Sequence, residues 1–167
     1  MSLLSTLGLT PPPFGEPIPH LGPAALIFHF FWAYGVLSSR TLKQYYGLDH
    51  NSSPREDLTK YGEAAVSSGK ITRAQLNMLK RNESAHANSV ENYALLVGAV
   101  AMAGVAGVDN LTVNRAVGVY TLARVAYGVV YIVVEREGLS QLRGVCWWIG
   151  NVSLLTLLWK AGGLLSS

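Results

Sequence analysis

Residues 81–100, RNESAHANSVENYALLVGAV, change character halfway. The first half carries Arg81, Glu83, His86, Asn88 and Glu91. From Asn92 to Val108 no residue is charged. One helix through this stretch sets a carboxylate and an amide at the mouth of a hydrocarbon-soluble run. Ionisable groups at membrane depth are costly, so such a mouth needs something to pair with or to bind.

The rest of the chain extends the pattern outward. Of 167 residues, 50% are hydrophobic and 14% charged, and the mean hydropathy is +0.27. Soluble domains carry about 25% charged residues, so this chain has too few to cover a soluble surface. Pro17 to Ser39 holds no Asp, Glu, Lys or Arg, Ala116 to Val134 holds only Arg124, and Gly144 to Leu165 holds only Lys160. The runs are continuous rather than alternating, which selects helices over a barrel. The spacing predicts four transmembrane helices over about 20–46, 72–107, 111–135 and 140–164. The expected fold is all-α, an integral membrane four-helix bundle. Residues 1–19 read as a Pro-rich lead, extended and poorly ordered, and 20–165 as the domain. The connections GVDN and EREGLS are tight, so consecutive helices should pack antiparallel. In the long polar loop 47–71, a short surface helix is expected over 57–67.

The net charge of +3 is sorted by topology rather than gathered into a nucleic-acid patch. Residues 1–39 contain no Lys or Arg, whereas Arg40 to Arg81 hold eight. Arg136 and Arg143 flank the next connection on that side, and the other side receives only Arg115 and Lys160. The positive-inside rule puts both basic connections in the cytosol and both termini outside or in a lumen; the endoplasmic reticulum is the expected membrane, although charge alone does not select it. The first 20 residues lack a basic n-region, so the first helix reads as an uncleaved anchor. With one cysteine, Cys146, no intrachain disulfide forms. No His/Cys/Asp spacing suits a metal, and His29 reads as a packed or interfacial residue.

The polar residues inside the spans fall into stripes. Ser84, Asn88 and Glu91 stand at i, i+4 and i+7; Tyr120, Arg124, Tyr127 and Tyr131 at i, i+4, i+7 and i+11. Antiparallel packing brings the start of the second helix level with the end of the third. Arg40, closing the first helix, and Arg143, opening the fourth, lie on the same side. Arg124 sits deep and needs a partner, and Glu91 is the carboxylate that the spacing offers. Together these groups suit a small zwitterion: arginine forks for carboxylates, a glutamate for an ammonium, an asparagine for peptide groups. An Arg beside a thiol would lower its pKa from about 8.5. Structural readings stand beside these. Arg124 and Glu91 could simply tie two helices together, and Tyr127 and Tyr131 could belong to an interfacial belt. Trp147, Trp148 and Trp159 read as interface anchors, and Asn151 and Ser153 as interhelical hydrogen-bonding residues.

At these residues the chain resembles the MAPEG family, the membrane-associated proteins in eicosanoid and glutathione metabolism. RNESAHANSVENY (81–93) is similar to the family's R-x-x-x-A-H-x-N-x-x-E signature, and ARVAYGVVY (123–131) to its A-R-x-x-Y-x-x-x-Y stretch. SQLRGVCWWIG (140–150) resembles the start of its fourth helix. The resemblance implies a homotrimer that binds glutathione between neighbouring subunits near the cytosolic face. Asn88, Glu91, Tyr127 and Tyr131 match glutathione-binding positions, with Arg81 and Arg124 beside them. His86 matches a position reaching the neighbouring subunit's site, and Arg40 the basic residue ending the first helix. Arg143 matches the Arg that holds the thiolate, with Tyr127 as its catalytic companion. Two departures stand out: Ser84 replaces an Arg of several members, and the connection from Tyr131 to Arg143 is long. Both that connection and the 47–71 loop look like the microbial or fungal branch, so a leukotriene or prostaglandin substrate is not expected. The function implied is a membrane glutathione transferase acting on a lipophilic electrophile from the bilayer, with peroxidase activity as an extension. The rival is a non-catalytic protein of the same fold that binds and presents membrane lipid.

Overall fold

The computed structural model describes residues 2–11 and 13–166. Among them there are helices, turns and irregular segments, with no strand. In chain order these are α1 (Leu3–Thr6), α2 (Gly22–Phe31), a π-helical turn (Trp32–Val36), α3 (Ser39–Tyr45), α4 (Gly62–Ser67), α5 (Arg73–Val105), α6 (Asn110–Val133), α7 (Glu137–Ser140) and α8 (Leu142–Leu165). The second, third and fourth expected helices are α5, α6 and α8.

Local chemistry sets the ends of α5 and α6. A capping box opens α5: Gln75 N donates to Thr72 Oγ1 at 3.2 Å, and Thr72 N to Gln75 Oε1 at 2.7 Å. Asp109 Oδ1 accepts from Thr112 N at 2.9 Å and caps α6. Gly107, at φ +70°, makes the turn between them. The 33 residues of α5 make a helix about 50 Å long. By length and apolarity, α6 is the one helix among the described residues that qualifies by itself to cross a membrane.

α5, α6 and α8 pack on one another, and α2 lies against α5 and α6. Their shared core contains Leu96, Ala99, Ala103, Val113, Leu154, Leu157 and Ala161, all fully buried. A densely packed interior leaves few voids, so close fit between side chains decides. Ala99, Ala103 and Ala161 supply that fit by letting backbones approach.

The first expected helix is interrupted. Leu37 N bonds to Trp32 O at 2.9 Å, one residue beyond the α-helical step, and Ser38 leaves helical geometry. The cause is tertiary. A Cβ on Gly128 of α6 would lie 3.0 Å from the Trp32 ring and 3.4 Å from Leu37, so the first helix settles onto a glycine. Carbonyls loosened by the break are taken up by α5. His86 Nδ1 donates to Ala33 O at 2.9 Å, and Asn82 Nδ2 to Leu37 O at 3.2 Å. A buried carbonyl left without a donor would be costly.

Two further expectations are corrected. The Pro-rich lead is tied down. Asn114, fully buried, donates from Nδ2 to Thr6 O (3.0 Å) and Pro19 O (2.8 Å) and accepts from Leu21 N (2.8 Å). Asn110 Nδ2 donates to Ile18 O at 2.7 Å, and Arg115 reaches the carbonyls of Leu7 and Gly8. An apolar cavity of about 480 Å³ opens between this strap, α2 and α6, lined by Leu7, Leu21, Phe28 and Leu122. In the 47–71 loop only Gly62–Ser67 is helical. Asp57 points inward instead, and Leu48, Leu58, Ile71, Leu76 and Leu79 form a second small core beneath the start of α5.

Candidate functional site

A polar ladder runs along α6. Arg124 is 1% exposed. Its Nη2 donates to Asn88 Oδ1 at 2.9 Å, to Asn88 O at 3.2 Å and to Ser89 Oγ at 3.3 Å. Nη1 is buried without a protein partner. The expected Arg124–Glu91 pair does not form: Glu91 is exposed and makes no hydrogen bond or ion pair among the described residues. At roughly 100° per residue, Asn88, Ser89 and Asn92 fall within one arc of about 100° that faces α6, and Glu91 lies about 60° beyond its border. Asn88 is on the near edge of that border and takes the guanidinium.

The ladder continues toward α8. The Arg124 guanidinium lies 4.4 Å from the Tyr127 ring centre, Tyr127 meets Tyr131 edge-on at 5.4 Å, and Arg143 lies 4.4 Å over Tyr131. Each guanidinium is attracted to the ring face by the ring's quadrupole. Arg143 Nε also donates to Ser140 O at 3.1 Å, which fixes its direction at the start of α8. Above Arg124 a neutral network closes the bundle: Tyr120 OH donates to Asn92 Oδ1 (2.9 Å) and Asn92 Nδ2 to Asn151 Oδ1 (2.8 Å). Asn151 thus joins two helices as expected, whereas Ser153 turns back to Gly150 O of its own helix. His29 is packed, as expected, against Thr121 at 3.0 Å.

On the other side of α5 lies a polar cleft of about 490 Å³, lined by Arg40, Lys43, Arg55, Glu83, His86 and Glu91 among others. Arg40 Nε pairs with Asp49 at 3.2 Å, and its Nη2 bonds Asn51. Lys43 is buried. Its Nζ lies 3.2 Å from Asp57 Oδ2, 2.8 Å from Pro54 O and 3.6 Å from Glu83 Oε1. Asp57, fully buried, also accepts from His50 Nδ1 at 2.8 Å and His50 N at 3.1 Å. Burial raises the Asp57 carboxyl, but the hydrogen bonds from His50 and Lys43 together outweigh it and hold the group below the usual aspartate value.

The expected site residues therefore divide into two sets. Asn88, Arg124, Tyr127, Tyr131 and Arg143 share the ladder. Arg40, His86 and Glu91 line the cleft, with His86 committed to Ala33 O by Nδ1. Arg81 joins neither: its Nε donates to Ile132 O at 3.0 Å and its Nη2 to Glu135 at 2.8 Å, closing the end of α6. Ser84 Oγ turns back to Lys80 O at 3.1 Å and offers the site nothing. Sequence reasoning missed Lys43, Asp57 and Arg55, whose partners have no periodic spacing. It also missed Asn82, whose place four residues before His86 was a usable signal.

A family model described as the MAPEG family matches residues 21–163. No curated protein and no solved structure matches the chain.

Proposed function

This chain belongs to the MAPEG family of membrane proteins, and from that premise we propose that it is a membrane glutathione transferase. The family includes glutathione transferases and also non-catalytic members. The observation that carries the enzymatic reading is the ladder from Asn88 through Arg124, Tyr127 and Tyr131 to Arg143. It gathers two fixed cations, two phenols and an amide in one polar strip. Glutathione lies against it with its sulfur near Arg143, which favours the thiolate. Tyr127 or Tyr131 donates a hydrogen bond to that sulfur. The thiolate attacks a lipophilic electrophile arriving through the bilayer, forming a C–S bond as the leaving group departs with its electron pair.

The two polar sets face different sides of α5, which supports a site completed by a second copy. In a homotrimeric assembly of four-helix protomers, the cleft of one subunit, with Arg40 and His86, would meet the ladder of its neighbour. The basic connections between Arg40 and Arg81 and around Arg143 support a cytosolic site. In this reading both termini are lumenal and the membrane is the endoplasmic reticulum.

The test is conjugation of glutathione to an aryl halide by protein in phosphatidylcholine nanodiscs. Arg143→Ala should lower kcat about 100-fold, the scale of losing one charge-stabilising donor. Equal activity in both proteins would reject the reading. A second reading, a non-catalytic lipid-binding protein, is favoured by Ser84, which turns away where a cation would help. Absence of any thermal shift at millimolar glutathione would select it.

A further inference from the structure

We infer that Arg55 is a carboxylate-binding residue of the cleft, gripping the oxyanion of a zwitterionic ligand whose ammonium meets Glu91. This rests on the glutathione reading above and adds a residue that the family resemblance does not supply.

The argument is one of charges left over. Three cations and two acids line the cleft. Lys43 is neutralised by Asp57 and shared with Glu83, and Arg40 is paired with Asp49. Arg55 and Glu91 make no hydrogen bond or ion pair among the described residues. A complementary cation and anion, both uncommitted and both facing one cavity of about 490 Å³, match a ligand that carries both signs. That volume lies within the roughly 300–1,000 Å³ of small-molecule sites.

Arg55 is exposed, yet the backbone that carries it is built into the protein. Its neighbour Pro54 gives its carbonyl to the buried Lys43 at 2.8 Å. Two residues on, Asp57 is fully buried and holds both His50 N and the His50 ring. Leu58 then plugs the small core. A loop anchored on both sides in this way presents Arg55 at a fixed place on the rim, and the planar guanidinium suits a carboxylate.

Two glutathione analogues separate the ligand's carboxylates. The glycine ester lacks the C-terminal one, and 4-aminobutyryl-cysteinyl-glycine keeps the ammonium but lacks the γ-glutamyl one. In phosphatidylcholine nanodiscs, which hold no anionic headgroup, KM for glutathione should rise about tenfold in Arg55→Gln, the scale of one charge-assisted hydrogen bond. kcat should change little, Arg55→Lys should recover part of the loss, and Arg55→Gln should cease to distinguish glutathione from one of the two analogues. Arg55→Gln with wild-type KM and wild-type discrimination against both would overturn the inference and leave the transferase reading standing. An effect that emerges only when phosphatidylserine is added would overturn it in favour of a lipid headgroup. A wild-type protein that neither binds nor conjugates glutathione would remove both.

Discussion

Arg124 Nη2 donates to Asn88 Oδ1 at 2.9 Å, and no carboxylate shares the bond. A buried guanidinium is thus held by an amide, a backbone carbonyl, a serine hydroxyl and the face of Tyr127. Its second terminal nitrogen stays open. The arrangement keeps Glu91 out of the helix interface and available to the cleft.

Asn88→Ala removes the strongest of those bonds while leaving the charge in place. It should destabilise the protein by about 1–3 kcal/mol, whereas Glu91→Gln should leave stability within about 0.5 kcal/mol, as surface changes do. Denaturation in mixed micelles checks both. The reverse order would restore Glu91 as the partner of Arg124.

The break in the first helix depends on side chains from α5. Asn82→Leu leaves the Leu37 carbonyl without its donor and should cost about 1–3 kcal/mol. Hydrogen exchange at residues 37–41 should accelerate more than in the middle of α6. Unchanged exchange there would mean that the break holds itself.

The Lys43–Asp57 pair carries a pH signature. Asp57 is held below the ordinary value of 3.8, so it stabilises the loop fully above that value. That stability is lost as pH falls through the lower native pKa. Asp57→Asn should cost about 3 kcal/mol, because Lys43 stays buried without its counter-ion, and should remove this acid-side loss. Limited proteolysis of loop 47–71 against pH reads it. Wild-type and variant profiles that coincide would contradict the assignment.

Asn114 alone ties three points of the N-terminal strap. Asn114→Ala should free residues 2–20 for protease cleavage while α5, α6 and α8 stay intact. A strap as resistant as in wild type would show that Asn110 and Arg115 suffice.

The long helices were legible because apolar runs and their caps are local. Thr72 and Gln75, Gly107 and Asp109 mark the ends of α5 and the start of α6 within a few residues of sequence. The candidate site was half legible. Residue types and helix faces pointed to Asn88, Arg124, Tyr127, Tyr131 and Arg143, and the structure brings these together. What the stripes could not resolve was pairing, since charge alone favours Glu91 and only helix rotation gives Arg124 to Asn88. The break at 32–38 contains no proline. It arises from Gly128 on α6 and from Asn82 and His86 on α5, contacts that no local pattern encodes. Lys43 and Asp57 are joined through a loop, so their pairing had no spacing to betray it. The lead was misread because its prolines suggest an extended chain, while the asparagines and arginine that hold it lie 92 to 108 residues later.

The central claim is that cleft and ladder are two halves of one glutathione site, met across neighbouring subunits. Co-expression of Arg40→Ala with Arg143→Ala tests it directly. Each variant alone should be nearly inactive. Mixed oligomers should recover about one quarter of wild-type sites by random assortment in a cyclic assembly. Mixtures no more active than the separate variants would contradict the account.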